Sequence, residues 1–441
     1  MMPALPLLAV METTMSDYST HPTASRISAR EFIVLIALLM SVVAISIDAL
    51  LPALGFIAND IPLAHPNQAQ YLISILFLGM AIGQLVCGPL SDATGRKKIL
   101  YAGIVLILLG SLICFMAQDI NTLLLGRFIQ GLGVAGPYVS AISIVRDKYT
   151  GNEMARIMSL VMLIFILVPA IAPSLGQAVL LVSSWRYIFV LYIVYALIIG
   201  VWIFLRLEET LPRDYRIPFS TRGFVDGFKE VISNYTTMCY TLCMGLFFGS
   251  FLGYLNSSQQ IFQELFNTGQ LFTLYFGILA LVFGASSLVN ARFVQKWGMD
   301  YLCNRAVLGI VLSSALFLAL QLVIEPNLWA FLVYAAVLFF CFGLVFGNVN
   351  AMAMEPMGHV AGIAAAIIGA FSSIMSMTIG TVIGQLYNGT LMPITCGFLI
   401  LGMMAYGILL LAGGYKDKQA LNVPPAEPAA STDDKPALDQ Q

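Results

Sequence analysis

Of the 21 Lys and Arg and 23 Asp and Glu residues in the sequence, only Asp48 and Arg127 lie deep inside long apolar segments. A charge at the centre of a membrane-spanning helix costs on the order of 2.5–3.5 kcal/mol, so such residues usually pair or line a pathway. Pro52 cannot donate a hydrogen bond to the carbonyl of residue 48, which leaves a free backbone oxygen beside the carboxyl. Because burial and neighbouring charges tune the pKa of a carboxyl, we predict that Asp48 carries a proton. The alternative is a structural ion pair.

Arg127 begins a polar stripe in an otherwise apolar segment. Gln130, Gly131 and Tyr138 follow at i+3, i+4 and i+11, on the same face of a helix. Since arginine keeps its charge when buried, Arg127 can act on Asp48 without titrating, provided that the two helices are neighbours. We interpret several polar side chains as candidates for a substrate cavity: Gln130, Tyr138, Tyr254, Asn256 and Asn348. Asn348 could equally bond a neighbouring helix.

The elements that would position these residues are membrane-spanning helices. The chain is 59% hydrophobic and 10% charged, against roughly 25% charged residues in a soluble domain. A bilayer crossing needs about 20 mainly apolar residues, and lipid leaves open strand edges unsatisfied, so the spans must be helical. The sequence predicts an all-α membrane protein with twelve spans: 33–57, 71–91, 99–117, 122–145, 155–180, 187–207, 236–257, 270–291, 305–324, 328–350, 360–384 and 391–412.

The distribution of Lys and Arg predicts the orientation of these spans. Nineteen of the 21 basic residues fall on one side, Arg186 lies on the other, and Arg127 lies within a span. Because cytoplasmic loops carry the basic excess, we place both termini in the cytoplasm. The longest loop divides the chain into two parallel repeats. The predicted parts are a cytoplasmic tail (1–32), a six-helix half (33–207), a cytoplasmic central loop (208–235), a second six-helix half (236–412) and a disordered tail (413–441).

Composition also excludes several function classes. The net charge of −2 gives no reason to expect a nucleic-acid partner. The seven cysteines show no metal-site spacing, and the G-x-x-x-x-G-K-[ST] motif of nucleotide-driven pumps does not occur. We therefore expect a monomer without cofactor or metal, driven by a proton gradient, whose partners are a small molecule, protons and lipid. A membrane enzyme or receptor would need a catalytic cluster or a large soluble domain, and neither is visible.

Four segments resemble a known family. Residues 88–98 (GPLSDATGRKK) form a tight basic turn, in which Gly95 permits a positive φ and Asp92 can cap or pair. They match in order the signature G-x-L-a-D-r-x-G-r-k of the major facilitator superfamily. Residues 125–131 (LGRFIQG) and 169–176 (PAIAPSLG) resemble that family's R-x-x-Q-G and antiporter motifs. Residues 46–54 (SIDALLPAL), with 144–147 (IVRD), resemble its Bcr/CflA drug-resistance branch.

The resemblance implies a function and residue roles. It implies that the gating loop, with Gly88, Asp92, Gly95 and Arg96, helps to latch the cytoplasmic ends of the halves in the outward-facing state. It implies that Asp48 titrates, that Arg127 organises the proton site, and that the antiporter motif contains Pro169, Pro173 and Gly176. The expected function is a proton-coupled antiporter that exports drugs or other small amphipathic molecules across the bacterial inner membrane by alternating access. The alternative is a proton-coupled symporter, or an exporter of one metabolite, with the same fold.

Overall fold

Long helices dominate the fold. The structure, a computed structural model, describes residues 27–149, 151–216 and 220–421. Within these ranges, twelve helices are long and apolar enough to cross a membrane, which confirms the predicted number of spans. The helices are α1 (Ala29–Asp48), α2 (Tyr71–Thr94), α3 (Arg96–Met116), α4 (Ile120–Lys148), α5 (Gly151–Val182), α6 (Tyr187–Arg206), α7 (Tyr235–Gln259), α8 (Phe272–Trp297), α9 (Met299–Val323), α10 (Leu328–Met354), α11 (Ala361–Gln385) and α12 (Met392–Leu421).

Several boundaries differ from the predicted ones. Because the Ser28 side chain caps its first turn, α1 begins at Ala29 rather than 33. The central loop contains a further helix, Thr221–Ser233, which begins where Ser220 accepts a hydrogen bond from the Gly223 amide. The last helix runs to Leu421, past the predicted boundary at 412. Residues 1–26 and 422–441, which include most of the two predicted tails, lie outside the described residues.

The first span is broken beside Asp48. The α-helix ends at this residue, and a 3₁₀ turn with Pro52 at its centre, Leu51–Ala53, leads into a short helix, Leu54–Asp60. A proline in a helix interior removes one backbone hydrogen bond and clashes with the carbonyl four residues earlier. The irregular backbone predicted from Pro52 is therefore present, and it places Asp48 at the end of a helix rather than in the middle of one.

The helices pack as two groups, here called the first half (α1–α6) and the second half (α7–α12). In the first half, α4 packs against α2 and α3, and α1 packs against α4 and α5. The contact of α2 with α4 is so close that a Cβ at Gly131 would overlap the backbone carbonyl of Leu76. The halves meet along α2 and α11 and along α5 and α8.

α1 is the most enclosed of the described spans. In its apolar stretch 89% of the residues are buried, against 33% in the equally apolar α6. A span that faces lipid exposes one side, whereas α1 is surrounded by protein. Asp48 is therefore held in the protein interior.

Candidate functional site

Asp48 lies at the break in α1, and its side chain is 5% exposed. It makes no hydrogen bond or ion pair within the part of the chain that the structure describes. The turn that follows it, Leu51–Ala53, contacts α7 of the second half, and α1 also contacts α6. Tyr192 on α6 and Tyr254 on α7 belong to the same buried cluster as Ala49 and Leu50, the residues after Asp48. Because this turn packs against the second half, the acid lies near the contact between the two halves.

Tyr192 and Tyr254 are buried and have spare hydrogen-bonding capacity. Neither hydroxyl has a hydrogen-bond partner among the described residues. The ring of Tyr254 packs edge-on against Phe339 at 5.0 Å and stacks on Phe276 at 6.1 Å. Burying an unsatisfied polar group costs about 1–3 kcal/mol, so these two hydroxyls are candidates for a functional role.

Arg127 is fully buried and is held by the first half. Its Nε donates to the Leu72 carbonyl at 3.0 Å, and Nη1 donates to Gln130 Oε1 at 2.6 Å. Gln130 in turn donates to Ser111 Oγ at 3.1 Å. The remaining nitrogen, Nη2, has no partner in the protein. The guanidinium is thus fixed in place with one donor left over.

Asp48 and Arg127 do not form an ion pair. Their helices are neighbours, as the sequence argument required. The packing of α1 against α4 therefore places the two predicted residues on neighbouring helices of the first half. Sequence reasoning missed Tyr192, a buried tyrosine of α6, which also contacts α1. Tyr192 gave no signal in the sequence, because it is one of several aromatic residues in a uniformly apolar span.

The other candidate cavity residues fall into different environments. Asn256 donates to Ser74 Oγ at 3.3 Å and to the Gly380 carbonyl at 2.9 Å, so it joins α7 to α2 and α11. Asn348 exchanges hydrogen bonds with Asn290 of α8, at 2.7 and 3.1 Å. Tyr138 packs, partly buried, against the core of the first half. Gln130 binds Arg127, and Tyr254 lies in the same buried cluster as Ala49 and Leu50, the residues after Asp48.

The gating loop is organised by Arg96, which is 3% exposed. Its Nη1 donates to Asp92 Oδ1 at 2.5 Å and to Ser91 Oγ at 3.0 Å. Its Nε and Nη2 form a two-pronged contact with Asp147, at 2.8 and 3.2 Å. Glu209 accepts from the backbone amide of Arg96 at 2.9 Å. These ion pairs and hydrogen bonds hold together the end of α2, the start of α3, the end of α4 and the start of the central loop. All of these segments belong to the first half or to the loop that follows it.

Two glycines let this loop adopt its shape. Gly95 has φ 105°, and a Cβ there would meet the carboxylate of Glu209. Gly88 lies against the second half, because a Cβ on it would be 3.6 Å from the Ala366 side chain of α11. Asp92 also faces α11, since a Cβ at Gly362 would lie 3.7 Å from its Oδ2. The loop thus touches the second half, while the ion pairs of Arg96 join it to Asp92 and Asp147 of the first half.

The proposed antiporter motif lies inside α5, which continues through Pro169 and Pro173. Gly176 faces α1 so closely that a Cβ there would overlap the carbonyl of Ala49, the residue after Asp48. On another side, the carbonyl of Ala170 lies 3.0 Å from the position of a Cβ at Gly277 of α8. The motif therefore forms the close contact surface that its small residues predict, and part of that surface adjoins Asp48.

The opposite end of the molecule carries a network that sequence reasoning missed. Gln70 donates to Gln260 at 2.5 Å, and Gln260 donates to Asn67 at 2.8 Å. Gln385 donates to the Asn67 carbonyl at 2.7 Å, and Asn67 donates to the Tyr387 carbonyl at 3.0 Å. We call these side chains the outer amide network. It joins the short turn before α2 in the first half to the residue after α7 and to α11 in the second half. Its signal in the sequence was a set of amides at the ends of apolar segments.

Comparison with known proteins decides the family. A family model described as the Major Facilitator Superfamily matches residues 34–381. The chain belongs to the major facilitator superfamily. It is 31% identical to the uncharacterised MFS-type transporter YdgK of Bacillus subtilis, over 77% of this chain and 85% of the relative. It is 25% identical to a bicyclomycin resistance protein homolog of Haemophilus influenzae (86% and 96% covered) and 28% identical to the multidrug resistance protein MdtL of Citrobacter koseri (73% and 80%).

A solved structure gives the same fold. The xylose transporter XylE from E. coli, in a partially occluded inward-open conformation, matches with a TM-score of 0.68 at 12% identity. The match covers 88% of this chain and 97% of that one. The predicted superfamily fold and the resemblance to the Bcr/CflA branch are therefore confirmed. This superfamily member is a multi-pass bacterial membrane transporter for a small molecule, and not an enzyme.

Proposed function

We propose that this protein is a monomeric proton-coupled antiporter of the bacterial inner membrane that exports drugs or other small amphipathic molecules by alternating access. Asp48 carries the proton, and both termini lie in the cytoplasm, the side with 19 of the 21 basic residues. The observation that carries the proposal is the position of Asp48. This carboxyl is buried between the halves, without a partner, at a break in its helix.

Proton carriage follows from what burial does to a carboxyl. Removing a carboxylate from water without a partner costs several kcal/mol, so an enclosed Asp48 is neutral. When the halves part on the cytoplasmic side and water reaches the site, the charged form regains its hydration and the proton leaves. Protonation from the periplasmic side then releases the cargo outward. Since a proton moving down 100 mV releases about 2.3 kcal/mol, the gradient can drive export without a nucleotide or another cofactor.

Arg127 and Tyr192 determine where the released charge is stabilised. The guanidinium is fixed by Leu72 and Gln130, so its charge stays in place while Asp48 changes. Tyr192 is buried with its hydroxyl unpaired among the described residues, and we assign it the role of donating a hydrogen bond to the charged Asp48 carboxylate. A cation that stabilises the deprotonated acid through a tyrosine makes proton release easier, without locking Asp48 in an ion pair.

The surroundings of Asp48 support an amphipathic cargo. On the side of the second half, Tyr254 stands among Phe251, Phe276 and Phe339. Aromatic surfaces bind apolar groups of varied shape, and an adjacent acid with a free phenol hydroxyl can bind one polar or basic group. The names of the relatives, a bicyclomycin resistance homolog and a multidrug resistance protein, support drugs as the substrate class and export as the direction.

The test uses inverted membrane vesicles with an imposed pH gradient and a dye that reports internal acidity. Adding bicyclomycin or ethidium is expected to make the vesicle interior more alkaline with the native chain. Asp48→Asn, which keeps the shape and removes the titration, should abolish the response, and Asp48→Glu should retain part of it. Glu325→Gln, at an exposed acid between α9 and α10, is the matched control and should respond as the native chain does. An undiminished response in Asp48→Asn would contradict the role of this residue.

The role of Arg127 needs its own variant. Arg127→Lys keeps the positive charge but loses the fork that binds Leu72 and Gln130, and we expect exchange to fall by more than tenfold with normal membrane levels. Full exchange in this variant would show that charge alone suffices. Alkalinisation and substrate movement are measured together, because a symporter would acidify the vesicle interior as substrate enters it.

A further inference from the structure

Two apolar grooves on the surface of the second half share a pair of residues, Tyr301 and Arg305, in the first turns of α9. One groove, of about 400 Å³, lies between α8, α9 and α10, with Val289 and Leu344 in its wall. The other, of about 280 Å³, lies between α9 and α12. Farther along α9, Leu312 is 60% and Leu316 is 74% exposed, so this helix presents an apolar side to the bilayer. The grooves therefore open toward lipid.

The rim between the grooves carries a cation without an acidic partner. Arg305 makes no ion pair within the described residues, and its guanidinium lies 5.2 Å from the centre of the Tyr301 ring. Trp297 is half-exposed beside it and stacks on Phe293 at 4.8 Å. Tyrosine and tryptophan side chains collect at the level of lipid headgroups, which sets the depth of Arg305 in the membrane. The smaller groove also contains Asn304, whose buried Oδ1 has no hydrogen-bond partner.

We propose that this surface binds one anionic phospholipid of the cytoplasmic leaflet. The phosphate lies on Arg305, and one acyl chain occupies each groove. A basic pocket between spanning helices on this side of a membrane is suited to anionic headgroups. A free phosphate ion would leave both apolar grooves uncovered, so the ligand is the intact lipid.

The site holds part of the second half together. A lipid seated there bridges α8, α9, α10 and α12 at their cytoplasmic ends, where gaps separate these helices. Because a ligand that binds the folded state stabilises it, the lipid should raise the Tm of the second half. This role is separate from proton exchange at Asp48 and does not depend on it.

The test uses the full chain, purified and depleted of lipid, and measures lipid adducts by native mass spectrometry and Tm by thermal unfolding. Phosphatidylglycerol should form a one-to-one adduct and raise the Tm, whereas phosphatidylcholine and inorganic phosphate should do neither. Arg305→Gln should lower the adduct at least tenfold. Arg292→Gln, which removes an exposed arginine that lines neither groove, should leave it unchanged.

A second variant separates shape from charge. Val289→Phe fills the larger groove, keeps Arg305, and should also reduce the adduct at least threefold. Equal loss in Arg292→Gln would show diffuse attraction to the basic surface and overturn the proposal. So would an unchanged adduct in Arg305→Gln, equal binding of phosphatidylcholine, or the same Tm rise with inorganic phosphate.

Discussion

The two ends of the molecule are held together by different chemistry. At the end that carries the gating loop, Arg96 forms ion pairs with Asp92 and Asp147, and these charged contacts stay within the first half. At the opposite end, neutral amides such as Gln70 and Gln260 form hydrogen bonds that cross from one half to the other. The charged contacts therefore bind a half to itself, whereas the neutral ones bind the halves to each other.

This difference suits a protein whose halves must separate repeatedly. A neutral hydrogen bond contributes about 0.5–1.5 kcal/mol net, because water replaces it when it breaks. Removing one partner of a buried ion pair costs about 3–5 kcal/mol. Contacts that open in every cycle therefore need little free energy to break, whereas contacts that keep a half rigid need more. We expect each half to move as a unit in the proposed inward and outward movements, and three substitutions test this expectation.

The largest effect is expected for Arg96→Ala. It leaves Asp147 and Asp92 without their buried counter-charge, so the free energy of unfolding should fall by about 3 kcal/mol or more. The measurement is the Tm of the purified protein, together with its level in the membrane. Lys98→Ala removes an exposed cation two residues away and should change neither. A small loss in Arg96→Ala would mean that the charged cluster does not hold the first half together.

An intermediate effect is expected for Gly176→Val, because Gly176 lies between the two ends of the molecule. The added side chain must push α5 away from the Ala49 carbonyl, and overpacking of this kind costs about 1–3 kcal/mol. Because Ala49 follows Asp48, transport should fall more than stability does. Gly407→Val, where a Cβ meets nothing within 4 Å, is the control. If both variants transport normally, the first half tolerates movement of α1 and does not act as one rigid body.

The smallest energetic effect is expected for Gln70→Ala in the outer amide network. Losing its bonds to Gln260 and Gln385 should cost about 1 kcal/mol and move the equilibrium about fivefold toward the state that is open at this end. Distances between spin labels at Gln118 and Glu325, exposed positions in loops of the two halves, report this shift.

The control for Gln70→Ala is Gln321→Ala, which loses a 2.8 Å hydrogen bond to Thr395 inside the second half. It should lower stability by a similar amount without changing the distance between the labels. If it changes that distance as much as Gln70→Ala does, the distinction between contacts within a half and contacts across halves fails.

The sequence was sufficient for features that depend on one segment at a time. Twelve apolar stretches predicted twelve spans, and Pro52 predicted the irregular backbone beside Asp48. Contacts between distant segments were not predictable. In the sequence, Tyr192 looks like any other aromatic residue, and only the packing of α6 against α1 distinguishes it. Asn348 looks the same whether it meets a cargo or, as here, Asn290 of a neighbouring helix. The partners of polar side chains in lipid depend on helix rotation, which hydropathy does not record.

The enclosure of α1 has a consequence for how the protein is made. Of the twelve described spans α1 is synthesised first, yet in the finished fold 89% of its apolar stretch is buried, in contact with helices synthesised later. Until the later helices are inserted, α1 lies in lipid with Asp48 unshielded. The long apolar sequence of α1 offsets the free-energy cost of inserting this acid into the membrane. Polar substitutions elsewhere in α1 should therefore reduce the amount of protein in the membrane before they affect transport.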